Sequence, residues 1–89
     1  MSTLLKESPN DTIVLEKEAK IILVNDNVNS FNHVINCLIK YCKHGEQQAE
    51  QCAIIIHNKG SYIIKEGNYD NLLPIYHALI ENGLIAELE

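Results

Sequence analysis

The hydrophobic and polar positions of this chain form short segments that switch between strand-like and helix-like spacing. Residues 20–24, KIILV, are rich in β-branched side chains and end at a cluster of short polar residues, which predicts a strand. Behind Ser30, apolar residues recur every three or four positions, which predicts an amphipathic helix with that serine as its N-cap. The apolar face of this helix consists of Phe31, Val34, Ile35, Leu38 and Cys42.

A second helix follows after a short break in the pattern at residues 43–45. It is predicted over residues 46–57, and the pair Lys59-Gly60 is a typical helix stop. Its buried side is predicted to consist of Ala49, Cys52, Ala53 and Ile56.

Two more strands enclose a third helix. Residues 61–67 and 84–88 have strand-like composition, and a helix that opens at Asn68 or Tyr69 is predicted to run to Asn82. Pro74 is compatible with this helix if it lies in or near the first turn, and Gly83 ends it.

The predicted order of elements is β-α-α-β-α-β with short connections. This order predicts an α+β fold, in which three helices pack on one face of a three-stranded antiparallel sheet. Residues 1–19 lack the pattern of the rest and are predicted to be a flexible N-terminal tail, with some order around residues 13–15. Residues 20–89 then form a single core domain.

Composition restricts the possible partners. The formal net charge is −5, arginine is absent and the lysines are scattered, which argues against a nucleic-acid partner. No apolar run is long enough for a transmembrane helix, and the start MSTLLKESPND has no signal-peptide core, so we expect a cytoplasmic protein without a membrane partner. Three cysteines in a reducing compartment are expected to be free thiols.

The residue types that usually support metal binding or catalysis do not occur in the required patterns. A calcium loop that starts at Asn25 needs glycine and glutamate where Ser30 and Asn36 stand. The cysteines and His44 lack the close spacing of a zinc-ligand pair, and five residues on one helix separate Cys52 from His57. With neither a phosphate-binding glycine loop nor a serine nucleophile motif, we expect no enzyme, no metal and no cofactor.

Two polar features remain open to more than one interpretation. Residues 25–29, NDNVN, hold more short polar side chains than a turn needs, yet a turn that caps the next helix would explain them in part. His57 shares a helix face with Ala53 and Ile56, and a histidine there is more often a helix-end or partly buried residue than a ligand.

Four segments, in order and spacing, resemble the ClpS adaptor family. They are ILVND, SFNHVINCLIKYC, AEQCAIIIHNKG and GLIAELE, and the resemblance spans residues 20–89. The family has an Asn-Asp pair that ends its first strand, a valine in the next helix, a His-x-x-Gly segment that ends the second helix, and a leucine near the last strand. The ending ENGLIAELE looks closest to bacterial members of the Bacteroidetes type.

The resemblance implies an adaptor. ClpS-like proteins bind N-degrons, which combine a free α-amino group with a bulky first side chain such as Phe, Tyr, Trp or Leu. They deliver these substrates to an Hsp100 unfoldase, ClpA or ClpC, for degradation by ClpP, and they work without catalysis or a cofactor. We expect a monomer. The alternative from the residues alone is a small protein-interaction module that lacks a pocket for the first residue.

The resemblance also assigns residues to the site. Asn25, Asp26 and His57 match the residues that bind the α-amino group. The hydrophobic pocket is expected to consist of Phe31, Val34, Ala53, Ile56 and Leu84. A primary ammonium has three donors and a full charge, so it needs several converging acceptors, and short side chains provide them with little entropy to lose.

Some positions depart from the family pattern. Asn27 stands where a second aspartate is usual and Asn29 where a threonine is common, and both are expected at the pocket rim. Asp70 falls near an acidic position of the unfoldase-docking surface, whereas Ile75 replaces a frequent lysine there. The docking surface therefore matches less well than the pocket.

Overall fold

A computed structural model describes residues 5–7, 13–15 and 17–89 of the chain. Two short strands, β1 (Leu5–Glu7) and β2 (Ile13–Leu15), pair with each other in antiparallel register. They are followed by β3 (Glu18–Val24), α1 (Phe31–Cys42), α2 (Glu46–Lys59), β4 (Ser61–Asn68), α3 (Tyr69–Glu81) and β5 (Ile85–Leu88). The predicted flexible tail, residues 1–19, lies partly outside the described residues, and β3 begins two residues earlier than the strand predicted from sequence.

The predicted α+β architecture is confirmed. The core sheet has the order β4-β3-β5, and β3 is antiparallel to both neighbours. Helices α2 and α3 contact the sheet, and α1 packs against both of them. Along β3, the side chains of Ala19, Ile21 and Leu23 point into the core, while the alternate positions are half-buried on the opposite face.

Buried apolar residues from all three helices and the sheet form one core. The most completely buried large side chains are Ile21, Leu23, Leu38, Leu79 and Cys42. All three cysteines are buried free thiols, and burial raises the pKa of Cys42 to about 11. Within the described residues, we find no grouping of three or more His, Cys, Asp or Glu side chains suited to a metal ion.

The helix boundaries predicted from capping residues are confirmed. The Ser30 hydroxyl accepts a hydrogen bond from the backbone N–H of His33 at 3.0 Å, which caps α1. Gly60 ends α2 in a left-handed conformation with φ of 94°, a conformation that glycine adopts without strain. The buried side of α2 consists of the four predicted residues, and the helix runs two residues further than expected.

The third helix starts where the sequence predicts, and Pro74 lies inside it. Asn68 caps this helix through a 2.9 Å hydrogen bond from the Asp70 backbone N–H, and Tyr69 is the first helical residue. Pro74 therefore lies in the second turn, past the first turn in which a proline replaces no helical hydrogen bond. A proline there removes one helical hydrogen bond, and the exposure of both Asp70 and Pro74 lets water replace it.

The two ends of the sheet have different neighbours. At the Glu18 end, β3 pairs with Asn68, and the Tyr69 backbone N–H donates to the Lys17 carbonyl at 2.7 Å. At the Val24 end, β3 enters the polar loop of residues 25–29. In the part of the chain described, no helix is both long and apolar enough to cross a membrane.

Candidate functional site

A cavity of about 330 Å³ opens at the Val24 end of the sheet. The end of β3, the polar loop after it, the start of α1, the end of α2 and the residue before β5 meet there. The residues that line it are Leu23, Val24, Asn25, Asp26, Asn27, Asn29, Phe31, Val34, Ala53, Ile56, His57 and Leu84.

The structure brings together every residue that the sequence assigned to the amine site, the apolar pocket and its rim. Sequence reasoning missed Leu23 and Val24, although both directly precede Asn25 on a strand that was itself predicted. Their position at the strand end was the signal that could have included them. Asp70, assigned to a docking surface, does not line the cavity and lies at the first turn of α3.

The floor of the cavity is apolar. Ala53, Ile56 and Leu84 are almost completely buried, with 3%, 4% and 4% of their surfaces exposed. Val34 is half-buried in the wall, and Phe31 stays 45% exposed, which places it toward the opening. An apolar group that enters the cavity would therefore lose contact with water on several sides.

The Asp26 carboxylate organises the polar loop. Its Oδ1 accepts hydrogen bonds from the backbone N–H groups of Val28 and Asn29, each at 2.7 Å. Its Oδ2 accepts one from the side-chain amide of Asn29 at 2.8 Å. These bonds, led by the one from the Asn29 backbone, lower the pKa of Asp26, so the carboxylate is ionised at neutral pH.

The loop and the end of α2 converge on one point of the rim. The backbone N–H of Asn25 donates to the carbonyl of Gly60 at 2.8 Å, which fixes the start of the loop against the residue that ends α2. His57 lies in the last turn of α2 and reaches the same cavity. Asn25 and His57 are exposed, and within residues 17–89 their side chains make no hydrogen bond.

The rim has acceptor capacity to spare. An ionised carboxylate offers about four lone-pair sites. Three hydrogen bonds occupy three of these sites on Asp26, which leaves one site on Oδ2. The side-chain carbonyl of Asn25 and a neutral His57 ring add further acceptors. The residues that line the cavity include no lysine or arginine, so the charge at the rim is negative.

A second set of contacts joins the loop to the turn before β5. The Asn29 side-chain amide donates to the carbonyl of Gly83 at 2.9 Å as well as to Asp26. The His33 ring lies 2.9 Å from the carbonyl of Asn82 through its Nε2 atom. These contacts hold the residue that precedes Leu84 next to the loop.

This arrangement is suited to binding rather than to covalent chemistry. Several acceptors and one negative charge stand at the edge of an apolar cavity, which is the complement of a primary ammonium attached to an apolar side chain. The exposed histidine at the rim has no nucleophilic side chain beside it among the residues that line the cavity.

Comparisons with known proteins agree with this arrangement. The family model described as ATP-dependent Clp protease adaptor protein ClpS matches residues 15–81, which include every lining residue except Leu84. No curated protein matches the chain. The structure of Agrobacterium tumefaciens ClpS2 bound to L-phenylalaninamide is similar, with a TM-score of 0.69 and 19% sequence identity. The match covers 83% of this chain and 96% of that one, and at this identity it establishes a shared fold.

Proposed function

Because the chain belongs to the ClpS family of adaptor proteins of the ATP-dependent Clp protease, we propose that its cavity binds the free N-terminus of substrate proteins. In this proposal the first residue enters the cavity, with its α-ammonium at the polar rim and its side chain on the apolar floor. The family is one of adaptors, so binding and delivery constitute the function and no bond of the substrate is broken by this chain.

The observation that carries the proposal is the acceptor-rich rim beside an apolar cavity. An α-ammonium presents three donors. The rim offers three acceptors, which are the remaining Asp26 lone pair, the side-chain carbonyl of Asn25 and the His57 ring. Removing an ammonium from water is costly unless its donors are met and its charge is balanced. Asp26 supplies the balancing negative charge, because its lowered pKa keeps the carboxylate ionised.

The apolar floor favours bulky hydrophobic first residues. Ala53, Ile56 and Leu84 present buried carbon surface, and Val34 closes one side. The similar Agrobacterium protein was solved with L-phenylalaninamide, which is a phenylalanine with a free α-amino group, and this supports an aromatic ligand here. We expect Phe, Tyr, Trp and Leu as first residues.

We propose that the opposite end of the sheet contacts an Hsp100 unfoldase, ClpA or ClpC. Asp70 lies at that end, beside the hydrogen bond between Tyr69 and Lys17. The seven residues of β3 separate this end from the cavity by roughly 20 Å, at about 3.3 Å per residue. The adaptor, acting as a cytoplasmic monomer, could therefore hold substrate and unfoldase at the same time.

A titration tests the proposal. A fluorescent peptide that starts with free Phe should bind and raise the anisotropy, whereas the same peptide with an acetylated N-terminus should not, because acetylation removes the charge and two of the three donors. A peptide that starts with free Gly controls for the side chain. Equal binding of the free and acetylated Phe peptides would instead indicate an interaction module without a site for the α-amino group.

A further inference from the structure

Leu84, which forms one wall of the cavity, is held to the end of α3 by backbone hydrogen bonds. The Gly83 N–H donates to the Ile80 carbonyl at 3.0 Å, and the Leu84 N–H donates to the Leu79 carbonyl at 3.1 Å. Leu84 therefore moves with the end of α3. The polar loop opposite continues β3, and β3 pairs with β5 through Val24 and Ile85. The sheet therefore sets the approximate distance between these two walls, and the side-chain contacts beyond the sheet set the remainder.

Beside the contact of the His33 ring with the Asn82 carbonyl, Asn29 connects the two walls through a single NH₂ group. The amide donates to Oδ2 of Asp26 at 2.8 Å and to the Gly83 carbonyl at 2.9 Å. Both partners are acceptors, so the nitrogen of the amide must face them, and the orientation of the side chain is set by the contacts themselves. The bond to Asp26 is partly buried, where water screens it less, whereas the bond to Gly83 is exposed.

An asparagine is suited to this connection in a way that a hydroxyl side chain is not. A carboxamide nitrogen has two donor hydrogens, whereas a serine or threonine hydroxyl has one. A hydroxyl at this position could donate to Asp26 or to the Gly83 carbonyl, but not to both.

We infer that Asn29 is a positioning residue that sets the width of the cavity, and thereby which first side chains the protein accepts. It does so through a tie, which consists of its two hydrogen bonds and joins the loop that holds Asp26 to the turn that carries Leu84. The selectivity part of this inference rests on the proposed function. The tie itself is a property of the free protein and can be tested without any ligand.

The first measurement is hydrogen exchange of side-chain amides by NMR in the free protein. The Asn29 amide should exchange slowly because both of its hydrogens are bonded, whereas those of Asn25 and Asn27 should exchange fast because neither side chain makes a hydrogen bond within residues 17–89. If the Asn29 amide exchanges as fast as that of Asn27, the tie does not exist and the inference is overturned.

The second measurement is selectivity. In Asn29→Thr, one connection is lost and the Leu84 wall can move outward, so affinity for a Leu-starting peptide should fall about threefold or more relative to a Trp-starting peptide. Asn82→Ala is the matched control. It removes a 2.7 Å side-chain hydrogen bond in the same turn, from Asn82 to the Ala78 carbonyl, that does not reach the loop. This variant should keep the wild-type ratio of affinities.

The outcomes separate the tie from the function. Unchanged Leu-to-Trp selectivity in Asn29→Thr, with slow amide exchange in the wild type, would make Asn29 a structural residue of the loop and overturn its role in selectivity. An equal shift in Asn82→Ala would overturn it too, since any loosening of the turn would then suffice. A wild-type protein that binds no free N-terminus overturns the proposed function and the selectivity role together, while the exchange measurement still decides the tie.

Discussion

The backbone N–H of Asn25 donates to the carbonyl of Gly60 at 2.8 Å, so the end of β3 is fastened to the residue that ends α2. This hydrogen bond lies next to the last pair of the β3–β4 ladder, Val24 with Ser61, and joins two segments that are far apart in the sequence. The loop that holds Asp26 and the helix turn that holds His57 thereby face the same cavity. The polar rim is a consequence of how a strand and a helix end at the same place.

Binding should depend on pH through His57. A histidine accepts a hydrogen bond from an ammonium only when its ring is neutral, and a protonated ring repels the ligand's charge. Affinity for a Phe-starting peptide should therefore fall as pH is lowered from about 7.5 to 5.5. Asp26 remains ionised over this range because its pKa is lowered, and it should not contribute to the loss.

The variant His57→Gln separates this effect from the other histidines. Glutamine keeps an acceptor and does not titrate. None of His33, His44 and His77 lines the cavity. Anisotropy titrations at several pH values should show a steep fall for the wild type and a flat profile for His57→Gln. Parallel pH profiles of the two proteins would show that another group takes up the proton, and His57 would then act only at the end of α2.

Loss of the Asp26 charge should weaken peptide binding even where the loop keeps its conformation. Asp26→Asn keeps the size of the side chain but replaces one acceptor by a donor, and we expect a loss of roughly 1.5–3 kcal/mol in peptide binding, the range of hydrogen bonds to charged groups. Asp70→Asn makes the same change in net charge away from the cavity and is the control. Equal affinities for Asp26→Asn and wild type would remove Asp26 from the amine site.

Asp26→Ala should differ from Asp26→Asn in the free protein. It removes the acceptor of the Val28 and Asn29 backbone N–H groups, so the loop loses its internal bonds. We expect larger chemical-shift changes across residues 25–29 in the alanine variant than in the asparagine variant. Equal chemical-shift changes in the two variants would show that the loop does not depend on this acceptor.

Val34 should restrict the shape of the first side chain. It lies on the wall of the cavity, one turn after Phe31, where a β-branched residue obstructs ligands that branch at Cβ. Val34→Ala should admit peptides that start with Ile or Val, at a stability cost of about 1 kcal/mol for partly buried methyl groups. Ile35→Ala on the same helix is the control, because Ile35 packs on the core and does not line the cavity. Identical selectivity of the two variants would place Val34 in the core alone.

The N-terminal segment should matter for delivery and not for binding. Deletion of residues 1–16 leaves β3 complete, including the buried Ala19, whereas a protein that starts at Lys20 would lose paired residues of that strand. The deletion should bind a Phe-starting peptide with wild-type affinity. It should fail to stimulate degradation of a Phe-starting reporter by an Hsp100–ClpP pair, and normal stimulation would count against a role of the segment in delivery.

Local signals in the sequence were sufficient for the elements from β3 to β5, though not for β1, because caps and stops act over a few residues. Ser30 and Gly60 mark helix ends through contacts with their own neighbourhoods. The sequence pattern does not reveal that the exposed backbone of α3 tolerates the hydrogen bond missing at Pro74.

The internal connections of the site could not be predicted in the same way. The bond from Asn29 to the Gly83 carbonyl joins residues that are distant in the chain, and it exists only once α1 and α3 are packed. The resemblance to a family pointed to which residues meet. It did not show that most of the Asp26 acceptor capacity is used by the loop itself.

The most direct test of the account is an NMR titration of the isotope-labelled protein with L-phenylalaninamide and with its N-acetyl derivative. The free amine should shift the signals of Asn25, Asp26, His57 and Leu84 together, with one saturation curve, and the acetylated compound should leave them in place at the same concentration. Shifts confined to other parts of the protein, or equal shifts with both compounds, would contradict the claim that this cavity recognises a free α-amino group.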